Sequence, residues 1–202
     1  MLNLLRPAVT KVLTPIGRAL ARRGISANAI TAAGAVGTVV AALWLYPLGW
    51  LWWGSVIITV FVLLDLLDGV LARMTGSDQS RWGAFLDSTL DRLADAGIFS
   101  GLILYFILKD DPEIVLAGVA LFCLVAGALV SYAKARAEGL GMTANVGIAE
   151  RSERLVVVLV SAGFSGLGVP YILPAGLWLL AAASAVTVGQ RMVHVYKQAV
   201  VE

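Results

Sequence analysis

The sequence predicts an all-α integral membrane protein, with six transmembrane helices preceded by an N-terminal amphipathic helix at the membrane interface. Three observations carry that expectation. Of 202 residues, 59% are apolar and only 14% are charged, and mean hydropathy is +0.88; a soluble domain carries about 25% charged residues to cover its surface. Six apolar stretches each approach the roughly 20 residues that a bilayer core requires. Thirteen of the fifteen Lys and Arg fall on one side of the membrane if the spans alternate, an asymmetry of the kind that orients membrane proteins. The lone Cys123 excludes a disulfide framework and a Cys-based zinc site, and the lone His194 excludes a multi-histidine metal centre. A net charge of +2 makes no case for nucleic acid as a partner.

Residues 1–24 are expected to form an amphipathic juxtamembrane helix. Arg6, Lys11, Arg18, Arg22 and Arg23 interrupt any apolar core, so the stretch is not a secretory signal. Lys11, Arg18 and Arg22 recur at helical spacing between Leu5, Val9, Leu13, Ile16 and Leu20, which suits a helix lying on anionic lipid. The competing reading is a disordered basic tail. Residues 25–202 form one membrane domain, with spans at 29–46, 50–72, 83–107, 113–133, 155–171 and 173–193. Their connectors are short: Pro47-Leu48-Gly49, Thr75 to Arg81, Lys109-Asp110-Asp111-Pro112, and a Gly/Pro turn before the last span. The spans must be helical, because lipid offers free backbone groups no partner. The charge bias puts both termini on the cytoplasmic side, with Lys109 alone on the other, in a multi-pass protein of the cell membrane.

The second and third spans carry acids that an apolar helix should not hold. Asp65 and Asp68 lie in one, and Asp87, Asp91 and Asp95 in the next. Each carboxylate deep in a span costs about 2.5–3.5 kcal/mol on insertion scales. Spacings of three and four put Asp65 with Asp68, and Asp87 with Asp91, on single helix faces. An antiparallel pair with a short connector would bring the two faces together near the cytoplasmic end. Four converging carboxylates repel one another unless a divalent cation joins them, and an all-oxygen donor set selects a hard ion such as Mg²⁺ or Mn²⁺. The competing reading pairs these acids with Arg73, Arg81 and Arg92 as buried salt bridges. It leaves unexplained why Gly69 and Gly83 flank the acids, where a missing side chain lets a ligand reach the backbone. Asp95 reads equally well as a site residue or as a packing carboxylate bonded to a neighbouring span.

The pattern Asp65-x2-Asp68-Gly69-x2-Ala72-Arg73-x9-Gly83-x3-Asp87-x3-Asp91 resembles the signature of the CDP-alcohol phosphatidyltransferases. Eight fixed positions at constrained spacings make the likeness specific, and the six expected spans agree with the family fold. The resemblance implies transfer of a phosphatidyl group from CDP-diacylglycerol to an alcohol, with release of CMP. It implies two Mg²⁺ ions, or Mn²⁺ in their place, on Asp65, Asp68, Asp87 and Asp91, with Asp91 also accepting the proton of the attacking hydroxyl. It assigns CDP-diacylglycerol binding to Asp68, Gly69, Arg73 and Ser80, and to Asn28, Ala29, Ile30 and Thr31 at the mouth of the first span.

Cations beside such a site suggest that the acceptor carries phosphate, which Arg and Lys grip by charge-assisted hydrogen bonds. The segments Ser131–Glu138 and Glu150–Arg154, with Arg191, look most like those of the actinobacterial phosphatidylinositol phosphate synthases within the family. That likeness implies inositol phosphate as acceptor, held through Ser131, Lys134, Arg154 and Arg191, with Arg151 a weaker candidate. Positive-inside anchoring of span ends accounts for the remaining cations, Arg136 and Lys197 among them. A phosphatidylglycerophosphate synthase, taking glycerol 3-phosphate at the same metal core, is the alternative. A cation transporter is a more remote one, because clustered acids near one face are unlike the midplane acids of broken transporter helices. The family likeness also implies a homodimer, and Gly163, Gly166 and Ala181 to Ala183 are small enough for close helix packing.

Overall fold

The computed structural model describes residues 26–75 and 81–200, with 65–75 described as backbone. Among these there are six helices: α1 (Ala27–Leu45), α2 (Leu51–Thr75), α3 (Arg81–Ile107), α4 (Ile114–Glu138), α5 (Arg151–Gly166) and α6 (Ile172–Ala199). The expected interfacial helix at 1–24 lies outside the described residues. The main packing partners close a ring: α1 against α2, α2 against α5, α5 against α6, α6 against α4, α4 against α3, and α3 back against α1. Chain neighbours run antiparallel. The starts of α1, α3 and α5 and the ends of α2, α4 and α6 therefore share one end of the bundle.

Local chemistry sets the helix limits. Ser26 caps α1 by accepting from the Ala29 amide at 3.2 Å, satisfying one of the amides that a helix start leaves unpaired. The chain then reverses at Gly49, whose φ of +77° favours glycine. The buried face of α1 is made of small residues, Gly34, Ala35, Thr38, Ala41 and Ala42, and α3 answers with Gly97 and Gly101. A Cβ at Gly97 would stand 2.9 Å from Val39 Cα, and one at Gly101 would overlap the Ala42 carbonyl. Backbone-to-backbone contact of this kind is how helices associate where burial of oily surface gives no drive.

The apolar core fills the half of the bundle away from the acids, through Ile58, Ile98, Leu102, Phe106, Cys123, Val158, Ala162 and Leu177. Buried there, Tyr46 and Ser55 share a hydrogen bond of 3.1 Å. The outer surface is just as oily, with Trp44, Trp53, Val115, Leu121, Phe122 and Leu179 all exposed. So large an apolar surface faces lipid rather than water, and the protein is membrane-integral.

Among the described residues three helices are long and apolar enough to cross a bilayer alone: Ala27–Leu45, Ile114–Glu138 and Ile172–Ala199. Helix α3 carries all its charges between Arg81 and Asp95, and α5 has 16 residues, about 24 Å of rise. The fifth span, expected over 155–171, instead begins at Arg151 and ends at Gly166, where Gly168 (φ +87°) turns the chain. Helix α4 outlasts its expected end at 133 and stays helical through Lys134 to Glu138.

Candidate active site

Helix α3 presents Asp87, Asp91 and Asp95 one turn apart, and their burial deepens along it. Asp87 is exposed, Asp91 half-buried and Asp95 buried. Asp91 lines a small cleft with Leu90 and Ala94 of α3, Gly34, Ala35 and Thr38 of α1, Phe61 and Val62 of α2, and Arg151 of α5. Four helices thus meet at this carboxylate. Asp65 follows Phe61 by one helical turn on α2; the side chains of Asp65, Asp68, Gly69 and Arg73, and all of Ser80, lie outside the described residues. Among the described residues no three potential ligands converge on a metal position. Asp87 and Asp91 nevertheless fit a hard divalent ion, being carboxylates one turn apart, one in solvent and one on the cleft wall.

The first turn of α5 meets these acids from across the cleft. Arg151 Nη1 lies 2.6 Å from Asp91 Oδ1, and its Nε donates to Asp95 Oδ1 at 3.3 Å. Arg154 is 2% exposed, donating from Nη2 to Asp95 Oδ2 at 3.2 Å and from Nη1 to the Ala149 carbonyl at 3.2 Å. Gly127 makes room for this guanidinium, since a Cβ there would stand 3.1 Å from Arg154 Nε. Arg92 Nη2 lies 3.6 Å from Asp91 Oδ2 and 3.9 Å from Asp95 Oδ2. Asp95 therefore does what a packing carboxylate does: it ties α3 to α5.

The other expected residues fall at the same end of the bundle. Arg191 is buried, donating from Nε to the Val146 carbonyl at 2.9 Å and from Nη1 to the Val130 carbonyl. Ser131, one residue after Val130, donates to the Gly127 carbonyl at 3.2 Å. Lys134 is the most open of the set, its side chain 43% exposed and 4.0 Å from Glu138. Asn28, Ala29, Ile30 and Thr31 make the first turn of α1, where Thr31 donates to the Ala27 carbonyl at 3.1 Å. Arg151, the weaker candidate by family likeness, is the arginine of α5 that reaches Asp91. Its place in the first turn of a helix, three residues from Arg154, was the available signal.

Residues 25–192 match the family model for CDP-alcohol phosphatidyltransferases. The chain belongs to that family. Among its relatives, the phosphatidylinositol phosphate synthase of Streptomyces avermitilis is 48% identical over 200 residues, 96% of this chain and 81% of that protein. The namesake from Mycolicibacterium smegmatis is 44% identical over 93% of this chain and 85% of that protein. A crystal structure of the Mycobacterium tuberculosis phosphatidylinositol phosphate synthase with CDP-DAG bound superposes with a TM-score of 0.87 at 41% identity, covering 92% of this chain and 94% of that one. Another, of the same protein with manganese and citrate, gives 0.86 at 41% identity over 91% and 88% of the two chains. For a CDP-alcohol phosphatidyltransferase, a cleft that sets an acid beside several arginines has the right parts, since the reaction moves a proton and holds phosphates.

Proposed function

We propose that this CDP-alcohol phosphatidyltransferase transfers the phosphatidyl group of CDP-diacylglycerol to a hydroxyl of inositol phosphate, giving phosphatidylinositol phosphate and CMP. The observation that carries the reading is the contact between Asp91 and the arginine-bearing start of α5, which sets a proton acceptor beside phosphate-binding cations. The choice of inositol phosphate over glycerol 3-phosphate rests on the relatives, which bear the name phosphatidylinositol phosphate synthase at 48% and 44% identity.

Asp65, Asp68, Asp87 and Asp91 would hold the divalent metal, two Mg²⁺ or Mn²⁺ ions. When bound, the metal neutralises charge on the pyrophosphate and on the departing CMP. Asn28, Ala29, Ile30, Thr31, Asp68, Gly69, Arg73 and Ser80 would hold the CDP end of the lipid substrate. Ser131, Lys134 and Arg191 would hold the acceptor phosphate, with Arg151 beside them, while Arg154, expected from the sequence to join them, is turned instead to Asp95 and the Ala149 carbonyl. The acceptor oxygen attacks the phosphorus that carries diacylglycerol, in line with the bond to CMP. That bond breaks, CMP leaves, and the hydroxyl proton passes to the Asp91 carboxylate. The cations Arg81, Lys134, Arg136, Arg151, Arg154, Arg191 and Lys197 share the site's end of the bundle, and Lys109 lies at the other. This supports a site and both termini on the cytoplasmic face of the cell membrane; six spans and a homodimer rest on the family likeness.

The test is release of CMP by the purified protein. It is expected only when CDP-diacylglycerol, inositol phosphate and Mg²⁺ or Mn²⁺ are all present, and to stop on chelation. Release that ignores a chelator would overturn the metal-dependent reading.

A further inference from the structure

Arg151 and Arg154 leave the same turn of α5 but differ in exposure. Arg154 is locked between Asp95, the Ala149 carbonyl and the notch at Gly127. The Arg151 side chain is 23% exposed and lies on the wall of the cleft that Asp91 lines. Among its contacts are one of 2.6 Å to Asp91 and one of 3.3 Å to Asp95. Around these two carboxylates stand the guanidinium groups of Arg92, Arg151 and Arg154. A divalent ion taking Asp91 Oδ1 would meet Arg151 Nη1 on the same oxygen, cation against cation inside a cleft where repulsion is poorly screened.

We propose that Arg151 is a displaceable counter-ion of Asp91. Divalent metal and the Arg151 guanidinium compete for one carboxylate oxygen. Metal loading turns Arg151 into the cleft, still tethered through Nε to Asp95, where the phosphate of an acceptor meets it. The proposal rests on the metal-site reading of Asp91 given above. It makes Arg151 a positioning residue that imposes an order, metal first and acceptor second. Because coupling between two binding events is reciprocal, whatever the metal does to Arg151, Arg151 does to the metal. A supporting arginine that merely oriented a ligand would have the opposite sign, since loss of such a partner weakens metal binding about 10- to 100-fold.

The experiment measures Mn²⁺ affinity directly, without substrates, by electron paramagnetic resonance of free Mn²⁺ over the purified protein and its Arg151→Gln variant. A second arm follows phenylglyoxal labelling of Arg151 in the unaltered protein by peptide mass. The variant is expected to bind Mn²⁺ at least about tenfold more tightly, the worth of a hydrogen bond between charged groups. Labelling of Arg151 should rise when Mn²⁺ is added and fall again with inositol phosphate. Unchanged or weaker Mn²⁺ binding by the variant overturns the proposal, as does labelling indifferent to either addition. If the unaltered protein takes up no Mn²⁺, the metal-site reading itself fails and the proposal goes with it. The labelling arm needs no variant, so it decides the matter even if Arg151→Gln does not fold.

Discussion

Replacing Arg154 with Gln tests the most deeply buried ion pair among the described residues. Arg154 is 2% exposed and Asp95 is 7% exposed, and they join at 3.2 Å. Removing one partner of a buried pair costs about 3–5 kcal/mol, because the other charge is stranded. Here Asp95 keeps Arg151 Nε at 3.3 Å, which places the expected loss at the low end, about 3 kcal/mol. For a chain of this size each kcal/mol moves Tm by about 2–4 °C, so Tm should fall by about 6–12 °C. The chain supplies its own probe. Cys123 is the one cysteine in the sequence and is fully buried, so a thiol-reactive dye reports unfolding in detergent. Adding Asp95→Asn should cost less than the two single losses together, by about 1–3 kcal/mol of coupling. A Tm within about 2 °C of the unaltered protein, or no coupling between the two sites, would refute the reasoning.

Arg191→Gln should raise the acceptor KM by roughly 10- to 100-fold, the loss of one charge-assisted phosphate contact, and leave the KM for CDP-diacylglycerol unchanged; steady-state kinetics with each substrate varied would show both rising if the arginine only braces α6. Asp68→Asn should abolish turnover while the protein still inserts and melts cooperatively, and normal turnover at saturating Mg²⁺ would sink its assignment as a ligand. Outside the spans, burial works against the Lys109 charge, but Glu113, 2.7 Å away, and Tyr105 outweigh it and raise its pKa above 10.5. Such a clasp is fully present below the ordinary lysine pKa and is lost as pH rises through the raised one. Proteolysis of the loop at 108–113 should therefore differ between Lys109→Met and the unaltered chain at neutral pH, and converge only in strong alkali.

The helices were legible in the sequence because lipid leaves the backbone no other choice, and the third span's acids were legible because carboxylates at four-residue spacing share a face. Ring order was not. Helix α4 is apolar along most of its length, so nothing in its pattern says that α3 and α6 flank it, and the place of α1 against α3 depends on Gly97 and Gly101 meeting the α1 backbone. The short α5 was misread by a few residues at each end, because Arg151 and Arg154 look like loop charges until Asp91 and Asp95 are seen to receive them. For the same reason Asp95 read equally well as ligand or strut; spacing shows which face a residue shares, while its partner 59 positions away in sequence is a matter of packing.

The most direct test of the central claim is the mass of the lipid product when purified protein receives CDP-diacylglycerol, Mg²⁺ and equal amounts of inositol phosphate and glycerol 3-phosphate in one reaction. The account predicts phosphatidylinositol phosphate as the dominant product, with one CMP released per lipid formed. Phosphatidylglycerophosphate as the main product, or CMP released without a new phospholipid, would contradict it.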